Sequence, residues 1–350
     1  MTTIEVAASK SYPVQIGPGL LTELGAKTAA LGKVKKVCIV SDSNVWPLYG
    51  AAADTSLHLA GLETCAFVFP AGESSKNGDT FLELLNFLAE NRLTRSDMLV
   101  ALGGGVVGDL TGFAAACYLR GIRFIQVPTP LLAAVDSSIG GKTAIDLPAG
   151  KNLAGAFWQP SLVLCDTDTL STLPEEIFRD GCAEVIKTAI LYGESLFMEL
   201  VRSGLNFDRE TVISACVLQK REIVENDEFD RGQRQLLNLG HTFGHAVEKR
   251  SDFTLSHGKA VAIGTAIAAR AAVHAGVCQQ ATATRIMWLL EKFGLPIFTH
   301  YTASELLDAA LSDKKRSGDT VNLILPRDIG DCAICPTAVS QLESFIQAGL

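Results

Sequence analysis

Three of the chain's six histidines, His241, His245 and His257, fall within seventeen positions. Imidazoles crowded in this way serve metal binding or proton transfer. In Asn238-Leu-Gly-His-Thr-Phe-Gly-His245 the spacing of four puts His241 and His245 on one face of a helix. A carboxylate from elsewhere would complete a zinc site, and Glu184, in Gly181-Cys-Ala-Glu-Val-Ile-Lys187, is the candidate. Spacing alone makes His241 and His245 the co-ligands and leaves His257 as a loop histidine of open use. The plain alternative is chance clustering or helix capping. Lys187 follows Glu184 by three residues, on the same helical face. Arg234, Asn238, His241 and His245 recur at spacings of four, three and four. Such a polar stripe on an apolar helix is costly unless it is paired or lines a site.

A second group of residues suits phosphate. Gly103-Gly-Gly-Val-Val-Gly108-Asp109 follows the apolar run Met98 to Leu102 and opens a predicted helix, satisfying GxGxxG in strand-to-helix context. Glycines there let a pyrophosphate approach the backbone, where free N–H groups and the helix dipole meet its charge. The acidic ribose ligand expected about twenty residues later is missing, since the chain reads Gln126-Val-Pro-Thr-Pro130. Asp42, closing a strand, is the substitute, with Glu73 and Lys76 nearby in a variant arrangement. A tight turn without cofactor remains the other reading. Asp136-Ser-Ser-Ile-Gly-Gly-Lys142-Thr143 is not a Walker A loop, because Asp136 stands where that loop needs glycine. Lys142, Lys151 and Arg120 lie beside glycines and strand ends, which suits an anionic substrate as well as it suits ordinary surface lysine and arginine.

The elements that must carry these residues change character midway. Short β-rich runs at 34–41, 64–69, 98–102, 124–128 and 162–165 alternate with helical stretches, one of them at 80–93, and this rhythm predicts a parallel sheet with crossover helices. Beyond Pro174 the pattern predicts helices at 175–203, 209–226, 234–249, 257–276, 282–293 and 303–311. The expected architecture is an α/β dinucleotide-binding domain, 1–171, followed by a mostly α-helical domain, 172–350, that binds metal and substrate, with the active site in a cleft between them. At 48% hydrophobic residues the chain can bury large cores, and a net charge of −8 argues against nucleic acid or an anionic membrane surface as partner. The nine cysteines are dispersed in a chain too long to need disulfide staples. With neither an export signal nor a membrane-length apolar run in view, a cytoplasmic, unexported protein is expected.

Taken in order from about Asp42 to Lys315, Gly-Gly-Gly-Val-Val-Gly-Asp, Tyr-Leu-Arg-Gly-Ile, Asp-Ser-Ser-Ile-Gly-Gly-Lys-Thr, Gly-Lys-Asn-Leu, Ala-Glu-Val-Ile-Lys, Leu-Leu-Asn-Leu-Gly-His-Thr-Phe-Gly-His and Ser-His-Gly-Lys-Ala-Val resemble the 3-dehydroquinate synthases, members of the sugar phosphate cyclases. The resemblance implies bound NAD, a divalent metal (Zn2+ or Co2+), a homodimer and a small sugar-phosphate substrate. That substrate would be 3-deoxy-D-arabino-heptulosonate 7-phosphate, converted to 3-dehydroquinate with release of phosphate. It implies Glu184, His241 and His257 as metal ligands, with His245 turned to substrate, which disagrees with the spacing argument. By the same resemblance Lys142, Asn152, Asn238, His245 and Lys314 surround the phosphate, and Arg120 reaches across a dimer interface. Lys220 and Arg234 take the carboxylate, while Asp136, Lys187 and Lys151 meet hydroxyls. The implied cofactor positions are Asp42, Asn44, Glu73, Lys76, Gly104, Gly105, Asp109, Thr129 and Thr172, with Lys142 and Lys151 alongside.

Four positions depart from that family's usual pattern: Pro130, Thr188, Asp230 and Lys259. Pro130 offers neither a hydroxyl nor an N–H to a cofactor. The rival readings are a cyclase making an inosose or valiolone from a substrate without a carboxylate, a metal-dependent polyol dehydrogenase, and a non-catalytic NAD-binding protein.

Overall fold

The structure is a computed structural model and describes residues 1–313 and 319–350, the side chains of 312 and 313 excepted. Lys314, implied at the phosphate, lies outside the described residues. Packing divides the chain into one unit of Met1–Leu173 with Arg209–Phe229 and another of Pro174–Asp208 with Asp230–Leu350. The sequence pattern places a single boundary at 171/172, whereas 209–229 belongs to the first unit.

The strands of the first unit are β1 (Thr2–Val6), β2 (Tyr12–Gly17), β3 (Lys36–Asp42), β4 (Glu63–Phe69), β5 (Met98–Gly103), β6 (Arg123–Pro128), β7 (Lys142–Leu147), β8 (Gly150–Phe157) and β9 (Leu162–Asp166). Its helices begin with α1 (Leu24–Ala30), α2 (Trp46–Leu59), α3 (Gly78–Glu90) and α4 (Gly105–Cys117). Seven strands form one sheet in the order β1-β2-β9-β6-β5-β3-β4. All neighbours run parallel except β1 with β2, while β7 and β8 make a separate antiparallel hairpin. Alternate residues explain why the strands read as unbroken apolar runs. Val37, Ile39, Val100 and Leu102 enter a core with Leu24 and Leu57, while Cys38, Val40, Leu99 and Ala101 enter another with Leu84, Leu88, Leu110 and Ala114. A strand covered on both faces leaves no position for a solvated side chain. Each fully buried Leu or Val there contributes about 1.5–3 kcal/mol.

The second unit carries α5 (Glu175–Tyr192) and α6 (Glu194–Ser203). α7 (Arg209–Asn226) packs with the first unit, against β1 and β2. The second unit resumes with α8 (His241–Arg250), α9 (His257–His274), α10 (Gln280–Lys292) and α11 (Ala303–Asp313), then the antiparallel hairpin β10 (Thr320–Asp328) and β11 (Asp331–Ala338), and α12 (Val339–Gly349). The sequence pattern did not signal that hairpin. Cys332 and Cys335, the only short-spaced cysteine pair in the chain, lie on β11, where residues three apart point to opposite faces. No helix among the described residues is long and apolar enough to cross a membrane.

The predicted helix 234–249 is broken. Gln233–Asn238 is a short 3-10 helix, and α8 starts afresh after Gly240, whose φ is 76°. A Cβ at Gly240 would collide with Thr265 Oγ1 and the Val261 carbonyl, so glycine is needed for both the turn and the close approach. At three residues per turn, positions four apart do not share a face. Arg234 is accordingly buried while Asn238 is exposed, and the four-residue stripe does not exist as one line.

Candidate functional site

In the second unit the chemistry gathers on α5, α8 and the first turn of α9. Glu184 lies in mid-α5 and is 1% exposed. One of its oxygens, Oε1, is 3.4 Å from His241 Nε2 and 3.2 Å from His257 Nε2. The other, Oε2, is 2.5 Å from Lys187 Nζ, one turn along. His241 opens α8, and its Nδ1 lies 3.1 Å from the Leu239 carbonyl. A carbonyl only accepts, so Nδ1 carries the proton and Nε2 keeps its lone pair toward Glu184.

Asp180 places His257 at the start of α9. Its carboxylate accepts from Ser256 Oγ and from the N–H groups of Gly258 and Lys259. A Cβ at Gly258 would strike the Asp180 carbonyl, so only glycine lets α9 begin there. The second ring nitrogen of His257, Nδ1, is 3.6 Å from Glu248 Oε2, and Glu248 is itself buried.

These neighbours set the protonation of the cluster. Burial would raise the Glu184 carboxyl, but the charge of Lys187 and the hydrogen bond from His257 hold it well below the usual carboxylate range. Burial pulls His241 down to about 4. Burial also opposes charge on His257, yet its hydrogen bonds to Glu184 and Glu248 prevail and hold it up at about 10.

Glu184, His241 and His257 present ligand atoms all within 4.8 Å of one another, and so do His245, Glu248 and His257. Spacing alone pairs His241 with His245 as co-ligands. In the structure these two fall in different groups, because His257 comes in from α9. Two imidazoles and a carboxylate are donors that fit zinc or cobalt, with bonds of about 2.0–2.2 Å and a coordination position left open. Thr188 gives its hydroxyl to the Glu184 carbonyl. Lys259 pairs with Glu176 at the surface.

In the first unit the polar residues cluster around Lys76, which is 4% exposed. Its Nζ is 2.9 Å from Glu73, 3.3 Å from Asp109 and 3.8 Å from Asp146. Burial alone would discharge this lysine, yet Asp109 and Glu73 hold its pKa above the ordinary lysine value. Burial pushes Asp109 up to about 6. Lys151 Nζ is 3.9 Å from Glu73.

The glycine motif sits where the sequence put it. Gly103 ends β5, Gly104 caps α4, and Gly105 begins it. A Cβ on Gly104 would meet the Pro130 ring, and one on Gly105 would meet Ser137 Oγ at 3.2 Å. Asp42 ends β3 and accepts from the N–H groups of Asn44 and Val45. Thr129 is buried beyond β6, its N–H on the Gly103 carbonyl. Thr172 bonds to the Thr169 carbonyl and to the Tyr49 hydroxyl.

Asp136 lies on a π-helical turn, Ala133–Ser137, and receives Lys220 Nζ of α7 at both its carboxylate and its carbonyl. Lys142 opens β7 and is exposed, and Asn152 is exposed on β8. Arg120 is exposed on a turn in which Leu119, Arg120 and Gly121 all have positive φ. Asp146, Asp180 and Glu248 were not nominated by the sequence. Glu248 alone had a signal, three residues after His245 and seven after His241 on the same helix face.

The chain matches the family described as 3-dehydroquinate synthase N-terminal over residues 66–180 and the one described as 3-dehydroquinate synthase C-terminal over residues 181–316. It is 42% identical over 342 residues to a 3-dehydroquinate synthase of Enterococcus faecalis, which covers 96% of each protein. Among solved structures it is similar to a 2-deoxy-scyllo-inosose synthase complexed with carbaglucose-6-phosphate, NAD+ and Co2+, at 25% identity, complete coverage of both chains and a TM-score of 0.90. It is also similar to a 2-epi-5-epi-valiolone synthase from Streptomyces hygroscopicus with NAD+ and Zn2+ bound. There the identity is 27%, the TM-score 0.86, and the coverage 99% of this chain and 98% of that one.

Proposed function

The chain belongs to the 3-dehydroquinate synthase family, and from that premise we infer that it converts 3-deoxy-D-arabino-heptulosonate 7-phosphate to 3-dehydroquinate and phosphate. The sequence of events is transient oxidation, phosphate elimination, re-reduction, ring opening and intramolecular aldol closure. The observation that carries the reading is the convergence of Glu184, His241 and His257, within 4.8 Å, in a chain so similar to curated synthases. These three residues would hold zinc or cobalt, and Asp42, Asn44, Glu73, Lys76, Gly104, Gly105, Asp109, Thr129 and Thr172 would hold NAD, with Lys142 and Lys151 beside it. When bound, NAD supplies a reversible hydride acceptor and the divalent ion a Lewis acid that makes the substrate alcohol easier to deprotonate.

The chain's own residues do the rest. His241 stays neutral because burial disfavours its charge, so it offers a lone pair at ordinary pH. Lys187, tied to Glu184, holds that carboxylate ionised and directs its remaining N–H groups at a substrate hydroxyl. Asp136, held by Lys220, accepts from a substrate hydroxyl with its carboxylate. Lys220 and Arg234 orient the carboxylate of the substrate. Lys142, Asn152, Asn238, His245 and Lys314 bind its phosphate, where the His245 imidazole can pass a proton as the leaving group departs.

A cyclase acting on a substrate without a carboxylate is the second reading, supported by the likeness to the inosose and valiolone synthases. The presence of both Lys220 and Arg234 favours the first. Arg120, on its outward turn, supports a homodimer in which it completes the neighbouring site. Among the described residues no two cysteines form a disulfide, which supports a cytoplasmic location.

The test is to incubate the protein with NAD, a divalent metal and 3-deoxy-D-arabino-heptulosonate 7-phosphate. Phosphate and dehydroquinate should form one to one without net NADH. Net NADH would mark a dehydrogenase, and no turnover would move the assignment to another cyclase substrate.

A further inference from the structure

The β7–β8 hairpin loses register at one point. Ile145 pairs with Ala154 and Leu147 with Gly150, so Asp146 alone faces Lys151, Asn152 and Leu153. A bulge takes extra residues out of the ladder and re-aims their side chains, and bulges recur beside active sites. Here the bulged residues include Lys151 and Asn152. Asn152 has a φ of 56°, a left-handed conformation that costs about 1 kcal/mol for a residue with a Cβ. It persists only where the surroundings impose it.

Asp146 imposes it. Its Oδ1 accepts from the Asn152 N–H at 2.8 Å, and its own N–H donates to the Lys76 carbonyl at 2.7 Å. The same Oδ1 faces Lys76 Nζ at 3.8 Å. From the bulge, Lys151 Nζ reaches back to Glu73 at 3.9 Å. One residue, through its backbone N–H and its carboxylate, thus joins the 73–76 segment, β7 and the bulge.

We propose that Asp146 is a positioning residue that holds the Lys151–Asn152 bulge so that these two side chains engage the phosphate-bearing substrate, without touching substrate itself. What the two side chains meet rests on the synthase reading above; the fastening of the bulge does not. The bond to Asn152 needs an acceptor, not a charge. An amide at position 146 therefore suffices, and a methyl group does not.

The test compares full-length D146A and D146N with the parent protein, each with NAD and metal. D146A should raise KM for the heptulosonate phosphate about tenfold and weaken binding of inorganic phosphate by a similar factor, with kcat within about threefold. Amide exchange at residues 151–153 should quicken in the same variant. D146N should restore all of these to within about threefold. Equal damage in both variants would show that charge matters rather than the bond, and unchanged phosphate binding and exchange in D146A would remove the role altogether. Should D146A not fold, Asp146→Ser, too short to reach Asn152, takes its place under the same criteria. If the parent protein fails to turn over this substrate, the synthase reading falls, while the exchange comparison still decides whether Asp146 fastens the bulge.

Discussion

Lys76 in the first unit and Glu184 in the second are both buried charges, 4% and 1% exposed, and they are satisfied in opposite ways. Around Lys76 stand three carboxylates, from Glu73, Asp109 and Asp146. They neutralise it with full charges of the chain's own, in excess, and burial, with the two neighbouring carboxylates adding to it, pushes Asp109 up to about 6. Around Glu184 stand one lysine and two imidazoles, and one of those imidazoles is kept neutral by burial. Its lone pair has a use only if a cation arrives. A closed ion-pair cluster stabilises or positions a fold; a buried carboxylate facing two imidazoles is a donor set that suits a metal.

The sharpest way to break this contrast is to remove a lone pair and a charge in turn. His241→Ala should lower activity by on the order of a thousandfold, the loss of several kcal/mol of metal-assisted stabilisation, with little change in thermal unfolding. A folded H241A with near-normal turnover would contradict the metal assignment. Lys76→Met should cost stability and weaken NAD binding as well. Three carboxylates left around a neutral chain should cost about 3 kcal/mol of stability, read from denaturant unfolding. A K76M protein as stable as its parent would mean that water already screens the cluster.

Smaller effects sharpen the picture. Glu248→Gln keeps the shape beside His257 but removes the charge that orients its ring, and should weaken zinc or cobalt binding about tenfold to a hundredfold, measured by chelator competition. No change would show that Glu248 is ordinary core. Asp109 gives the mildest effect and fixes a sign. Its folded pKa, about 6, lies above the usual carboxylate value, so between roughly pH 4 and 6 the folded state binds more protons than the unfolded one, and stability falls as pH rises through that window. Asp109→Asn should therefore be the more stable protein above that window and lose its advantage below about pH 4. The full displacement would be worth about 3 kcal/mol. With about a fifth of the side chain still exposed, we expect about 1 kcal/mol. An advantage that grew toward low pH would overturn the sign.

What could be read beforehand follows from the range of the signal. The predicted strand at 98–102 appears as Met98–Gly103, and the predicted helix at 80–93 as Gly78–Glu90, because two-sided burial and helical periodicity are local patterns. The glycine loop was legible for the same reason. The metal group was legible from spacing only in part. Gly240 stops one helix and starts another, and no local pattern announces that His257 will come in from α9. The return of α7 to the first unit and the Asp146 bulge depend on contacts between segments far apart in sequence or out of register. Glu248, by contrast, was within reach, since the helix spacing that paired His241 with His245 continues to it.

The most direct measurement is the metal content of purified His257→Ala and His245→Ala beside the parent protein, after dialysis against a zinc buffer. We expect about one equivalent in the parent and in H245A and essentially none in H257A, all three folded. Retention by H257A with loss from H245A would return the site to the i, i+4 pair on α8 and contradict the convergence on Glu184.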